Sequence, residues 1–271
     1  RAHAARPIRR ARGDRGRGGG GLSFFAVEAI PGLPEVRSGD DLGELIAAAA
    51  PPDLDDGDVV VVAHKVVSKA EGRVRRLGDV EPGERARDLA ESQGKDARAV
   101  QVVLDESASV LRAERGVMIC ETRHGFICAN AGVDASNAGA ADELILLPLD
   151  PDASARRLRA RIASLREARP AVVVSDSFGR AWRVGQTDVA IGAAGLAPID
   201  DWVGRYDAAG RELRATAIAV ADSIAAAADL AREKNSREPA VLVRGLMRVV
   251  VDEDGPGAAA LRRERDMDLF R

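Results

Sequence analysis

Histidine and cysteine are nearly missing from this chain: three and two, respectively, in 271 residues. The two cysteines, Cys120 and Cys128, make neither a disulfide framework nor a zinc-ligand spacing. Both are expected to be reduced core thiols of a cytoplasmic protein. No apolar run approaches the roughly 20 residues that a membrane-crossing helix needs. No Walker motif is present, so a nucleotide would not be held by a P-loop. Surplus positive charge is missing as well, once residues 1–21 are set aside. That leader, RAHAARPIRRARGDRGRGGGG, has a net charge of +6, which leaves −9 for the rest of a chain that totals −3. An acidic body argues against nucleic acid as the main partner, because phosphate binding draws on excess Lys and Arg. The leader also lacks an initiator Met and the apolar core of a secretory signal. It is expected to be a disordered basic segment, and its Gly16, Gly18 and Gly21 imitate a dinucleotide fingerprint without the strand that should precede one.

What is present suits a folded protein: 46% of the residues are hydrophobic and 31% are charged. DVVVVA (residues 58–63) is a continuous β-branched run, hence a strand buried on both faces. AVVVSD (171–176) and AVLVRG (240–245) read alike, and LSFFAVEAI and ELILLPL are two further strands. Helices are expected after Asp40 or Asp41 through Ala50, over HKVVSKAEGR, across residues 82–108, from Asp150-Pro151 to about Ala168, and through the Ala-rich segment to about Arg232. VMICETRHGFICANAG reads as a hairpin that turns at His124-Gly125. Strands and helices mix without strict alternation, which predicts an α/β protein with a mixed sheet.

Three segments share one design, an apolar strand that ends abruptly in a polar motif: VVVVAHKVVSKAEG, FICANAGVDASNAG and VVVSDSFGRAWRVGQTD. Functional groups gather where strands end, on loops held by a rigid sheet. Each motif also has a plain structural reading. Lys69 can be a solvated helix residue, Asp134 and Asn137 can form an Asx turn, and Asp176 can cap a helix starting near Ser177. Together, Asp134, Asp176 and Asp188 pose a charge problem. Two carboxylates 4 Å apart repel by about 4 kcal/mol at an effective dielectric near 20. Protonation, Arg180 or Arg183, or a metal ion has to offset that, and removing one acid should leave the fold as stable or more so. Oxygen ligands with so little histidine point to Mg²⁺ or Mn²⁺ rather than Zn²⁺, and such ions commonly serve phosphate chemistry.

PGLPEVRSGDDL, GDVVVVAHKVVSKAEGR, AGVDASN, SDSFGRAWRVGQTDVAIGAAGL and AVADSIAAAADL…PAVLVRG, in this order from about Ile30 to Gly245, resemble the coenzyme F420-0:γ-glutamyl ligase family. The resemblance implies an α/β, mixed-sheet, two-layer fold with two intertwined subdomains in residues 22–271, and a homodimer. It implies GTP as co-substrate, two Mg²⁺ or Mn²⁺ ions per site, and K⁺. The activity it implies is addition of L-glutamate to a deazaflavin coenzyme precursor, extended through γ-linkages by way of an acyl phosphate. Leu33, Pro34, Glu35 and Val36 match the family's nucleotide-contacting loop. His64 stands where relatives have Ser or Thr, Lys69 matches a nucleotide-binding lysine, and Asn137 matches a nucleotide contact. Asp134, Asp176 and Ser177 match metal ligands. Arg180 and Arg183 would add positive charge for phosphates or carboxylates, and Asp188 would be a supporting carboxylate or a base for the incoming amine. The late segment LAREKNSREP carries no assignment, because Glu233 departs from the family there. A non-catalytic nucleotide- or deazaflavin-binding module, and a metal-dependent ligase for another carboxylate, are the alternatives.

Overall fold

The computed structural model describes residues 24–136, 141–233 and 236–269. In chain order the elements are β1 (Ala26–Ala29), α1 (Leu42–Ala49), β2 (Val59–Ala63), α2 (His64–Ala70), β3 (Val74–Arg76), α3 (Glu84–Gln93) and α4 (Ala97–Glu106). They continue with β4 (Ser107–Glu114), β5 (Val117–Thr122), β6 (Ile127–Ala129), β7 (Glu143–Ile145) and α5 (Pro151–Leu165). The last are β8 (Ala171–Arg180), β9 (Arg183–Ala194), β10 (Ile199–Asp201), β11 (Ala217–Ala219), α6 (Val220–Leu230) and β12 (Ala240–Arg244).

The main sheet runs β1-β12-β2-β8-β9. Only β2 and β8 pair in parallel, with Val59 opposite Ala171 and Ala63 opposite Ser175; the other pairings are antiparallel. The expected mixed α/β architecture is therefore present. The β-branched run of β2 is buried on both faces, as its composition implied. Val60, Val62, Val172, Val174 and Leu242 face a core completed by Ile46 of α1 and by Leu158 and Ile162 of α5. Val59, Val61, Val173, Val241 and Val243 face the opposite side, where Ile224, Ala225 and Ala228 of α6 pack. Each fully buried Val or Leu contributes about 1.5–3 kcal/mol, so these central strands anchor the molecule.

Capping fixes where the helices start. Asp41 accepts from Glu44 N–H at 2.9 Å and Asp150 from Ala153 N–H at 2.9 Å, with Pro151 in the first turn of α5. A separate hydrophobic cluster joins α3 and α4 to the β4-β5-β6 sheet through Ala86, Val100, Val103, Met118 and Cys120. Cys120 and Cys128 face each other across the hairpin as buried free thiols. Burial, and then the nearby Asp176, push the Cys128 thiol up to about 12, so it stays protonated.

Two local expectations fail. The helical reading of residues 82–108 runs too far, since β4 begins at Ser107, and Asp176 does not cap a helix. It lies inside β8, which runs on to Arg180 and folds back as β9 to make one long hairpin.

Candidate functional site

The site begins where the two parallel strands end. β2 passes from Ala63 straight into His64, the first residue of α2, while β8 continues past Ser175 to Asp176. Because Ala63 and Ser175 are register partners, the residues that follow are brought side by side. His64 Nε2 lies 3.2 Å from Asp176 Oδ1. The contact is off-axis, so both imidazole nitrogens are buried without a hydrogen bond, as is Ser68 Oγ one turn along α2. Buried polar atoms are nearly always satisfied in folded proteins. The His64 imidazole is thus an unsatisfied buried group in contact with Asp176. His64 is buried at the end of β2.

Asp188 sits under this floor. Its register partner across the hairpin is Ser177. Oδ1 accepts from Ser177 Oγ at 2.6 Å and Oδ2 from Ser175 Oγ at 2.8 Å. The Arg232 guanidinium, beyond the end of α6, closes the network at 2.5 Å from Oδ2. Both Asp188 oxygens are engaged, an arrangement that supports its neighbours rather than freeing it to take a proton.

Asp134 follows a tight turn at Asn130–Gly132, which carries three successive left-handed residues (φ 52°, 53° and 73°). Its Oδ1 accepts from Ser136 N–H at 2.6 Å, the Asx turn foreseen, and its Oδ2 pairs with Lys65 Nζ at 2.7 Å. Burial alone would raise the Asp134 pKa, but Lys65 and the Ser136 amide outweigh it and hold the carboxyl below its ordinary value. Lys69, one turn after Lys65, reaches Glu35 at 2.5 Å and so joins two of the segments singled out for nucleotide contact. Pro34 and Glu35 are exposed and Leu33 is half-buried. The Val36 side chain is core, so any ligand contact from it has to come through its backbone.

The expected repulsion among carboxylates is therefore not what the structure holds. Lys65 stands by Asp134 and Arg232 by Asp188, and these cations remove the destabilising term. Arg180 and Arg183 do not serve that purpose. Arg180 donates to the Val184 and Gly185 carbonyls at the hairpin turn, and Arg183 is exposed beside it. Asn137 and the basic leader lie outside the described residues. Lys65, Arg232, Lys95 and Asn130 went unnoticed in the sequence. Lys65 and Arg232 lie inside quoted segments, but only folding shows which acids they meet.

Asp134, Asp176 and Ser177 line one cavity of about 450 Å³, together with Lys95, Asn130 and the apolar side chains of Val100, Met118, Leu144 and Phe178. Among the described residues, no group of three or more His, Cys, Asp or Glu forms a ready-made metal cluster. Two carboxylates and a hydroxyl lining the same cavity nevertheless suit Mg²⁺ or Mn²⁺ in donor type. Such ions take hard oxygen donors, often only one or two carboxylates, and complete their shell with water and phosphate.

A mixed-sheet α/β fold with polar and charged side chains near the carboxyl ends of its parallel strands is an arrangement at which α/β proteins commonly bind ligands. Comparison narrows the class: a family model described as F420-0:Gamma-glutamyl ligase matches residues 32–245. The chain is 44% identical over 254 residues to the coenzyme F420:L-glutamate ligase of Methanopyrus kandleri, covering 93% of this chain and 100% of that protein. It is 43% identical to the protein of the same name from Methanothermobacter thermautotrophicus (93% and 99% covered) and 47% identical to that of Archaeoglobus fulgidus (81% and 88%). The chain belongs to the F420-0:gamma-glutamyl ligase family.

Proposed function

We propose that this protein joins L-glutamate to the deazaflavin coenzyme F420-0, or its dehydro form, at the expense of GTP and then extends the tail by γ-linkages. The terminal carboxylate of the coenzyme attacks the γ-phosphate of GTP, which yields an acyl phosphate and GDP. The amine of L-glutamate then displaces phosphate and forms the amide. The observation that carries this reading is the cavity lined by Asp134, Asp176 and Ser177 in a chain of this family.

In this reading the 33–36 loop and Lys69 bind the nucleotide, and their contact through Glu35 supports a shared role. Lys65 is the cation nearest Asp134 and steadies that carboxylate between turnovers. Asp188 and Arg232 hold Ser175 and Ser177 in place, so the hydroxyl wall keeps its geometry as negative charge arrives. Asp134, Asp176 and Ser177 would hold two Mg²⁺ or Mn²⁺ ions, which offset the phosphate charge that accumulates during transfer. K⁺ as an activator and a homodimeric assembly belong to the same reading.

The test incubates the purified protein with GTP, Mn²⁺, K⁺, L-glutamate and the coenzyme precursor, with mass spectrometry of the products. A ladder of glutamate-sized mass steps, with one GDP per step, is the expected outcome. GTP turnover without a ladder points to a ligase for another carboxylate, and nucleotide binding without turnover points to a binding module. Either result overturns the reading.

A further inference from the structure

The cavity has a second polar corner, formed by Lys95 and Asn130, that the reaction just outlined leaves without a task. Lys95 is fixed from both sides. Gly94 ends α3 in the left-handed conformation (φ 64°), and the Lys95 N–H donates back to the Ala90 carbonyl at 2.9 Å. The next residue, Asp96, caps α4 by accepting from Arg98 N–H at 2.8 Å. The lysine therefore leaves a rigid helix corner and enters the cavity, where its Nζ donates to Asn130 Oδ1 at 3.0 Å.

Asn130 is held just as firmly, at the start of the left-handed run. Asn tolerates that conformation, but for Ala131 it costs about 1–2 kcal/mol. The strain persists where the chain must present Asn130 to the cavity, a pattern common at binding sites.

Charge distinguishes this corner. In the same cavity Asp134 is matched by Lys65, and Asp96 by Arg98 at 2.6 Å. Lys95 is half-buried, yet among the described residues no carboxylate lies within 4 Å of its ammonium. Burial holds its pKa below the ordinary lysine value. A partly desolvated ammonium beside Val100, Met118 and Leu144 is a standing cost that an arriving anion offsets. Lys95 has three N–H donors and spends one on Asn130. The Asn130 amide nitrogen likewise has no partner among the described residues.

We propose that Lys95 and Asn130 form a carboxylate-binding subsite of this cavity, which receives a substrate carboxylate that does not react. The proposal rests on the ligase reading, in which the glutamate and, once it carries a first glutamate, the coenzyme tail bring such a group; the precursor in the test is that singly glutamylated form. The apolar walls suit the aliphatic stem that carries it.

The test measures KM for L-glutamate, coenzyme precursor and GTP, with melting curves, for the wild type, Lys95→Met, Lys95→Arg and Asn130→Gly. Met keeps the packing of the stem and removes the charge, and Gly accepts the left-handed backbone while removing the amide. Loss of a charge-assisted hydrogen bond predicts a KM about 10- to 100-fold higher for one carboxylate substrate in Lys95→Met. Asn130→Gly should show a smaller rise and Lys95→Arg partial recovery, with the GTP KM and melting temperature unchanged. A rise for glutamate assigns the corner to the incoming amino acid, and a rise for the precursor assigns it to the tail. Unchanged KM for both, or a fall in melting temperature and kcat without a KM effect, overturns the subsite and leaves a structural tether. If the wild type makes no product, the ligase reading falls separately. Calorimetric titration of wild type and Lys95→Met with L-glutamate and with the precursor then decides the subsite. Weaker binding of either by the variant upholds it, and equal or absent binding overturns it.

Discussion

Asp188 is buried and Arg232 nearly so, and removing either charge strands the other in a poorly solvated place. Breaking such a pair from one side typically costs about 3–5 kcal/mol. Asp188→Asn should therefore lower the melting temperature on the order of 10 °C, while Asp188→Asn combined with Arg232→Met should recover part of the loss. Thermal unfolding of the three proteins checks this, and an unshifted single variant removes the pair from the stability argument. Asp134 behaves differently because it is more exposed. Its folded pKa is depressed, so the stabilisation from Lys65 is present above the ordinary carboxylate pKa and disappears as pH falls through the lower, folded value. Asp134→Asn should destabilise the metal-free protein by about 0.5–1 kcal/mol at neutral pH, a modest figure because solvent screens the pair. Urea denaturation should find that difference constant between about pH 7 and 5 and shrinking below about pH 4. This reverses the repulsion argument drawn from sequence, which counted the acids without the cations that folding brings to them.

At the scale of elements, the β8–β9 hairpin holds both the core and the site. At its buried end the chain has no room for a side chain: a Cβ on Gly192 would meet the Pro151 carbonyl oxygen at 2.2 Å. The contact is close because Asp152, in the first turn of α5, accepts from Ala193 N–H at 2.8 Å and draws the helix onto the strand. Gly192→Ala should cost about 2–3 kcal/mol by overpacking. Gly179→Ala, with open space around its Cβ, should change stability by less than about 0.5 kcal/mol. Denaturant midpoints of the two variants give the comparison, and equal values would falsify the packing account. The same hairpin marks where sequence reading stopped. Val172 to Val174 announced a strand because both faces are buried, but from Asp176 to Asp188 the arm leaves the sheet's cover and its apolar pattern ends. β4 escaped notice for another reason: Ser107 both ends α4 and begins the strand, with no Gly or Pro between to signal the change.

For the molecule as a whole, the order of motifs from Ile30 to Gly245 carried the family and the mixed sheet, since both depend on segments that keep their sequence through folding. Side-chain pairings were not legible, because Arg232 meets Asp188 across 44 residues and Lys65 meets Asp134 across 69. The proposed homodimer belongs to this scale. Trp182 and Val184 sit at the hairpin tip with 76% and 97% of their surface exposed, next to Arg180 and Arg183. Covering both side chains removes on the order of 300 Å², well short of the roughly 800 Å² per partner of a stable interface. A second surface has to contribute. The excursion that includes β10 and β11 offers Val203 and Tyr206, 54% and 67% exposed. The expected result is a dimer by sedimentation velocity at micromolar concentration, converted largely to monomer by Trp182→Ser with Val184→Ser, and by Tyr206→Ser with Val203→Ser. The melting curve of each variant should become independent of protein concentration, as linkage requires once association is lost. A wild type that sediments as a monomer removes the dimer from the proposal.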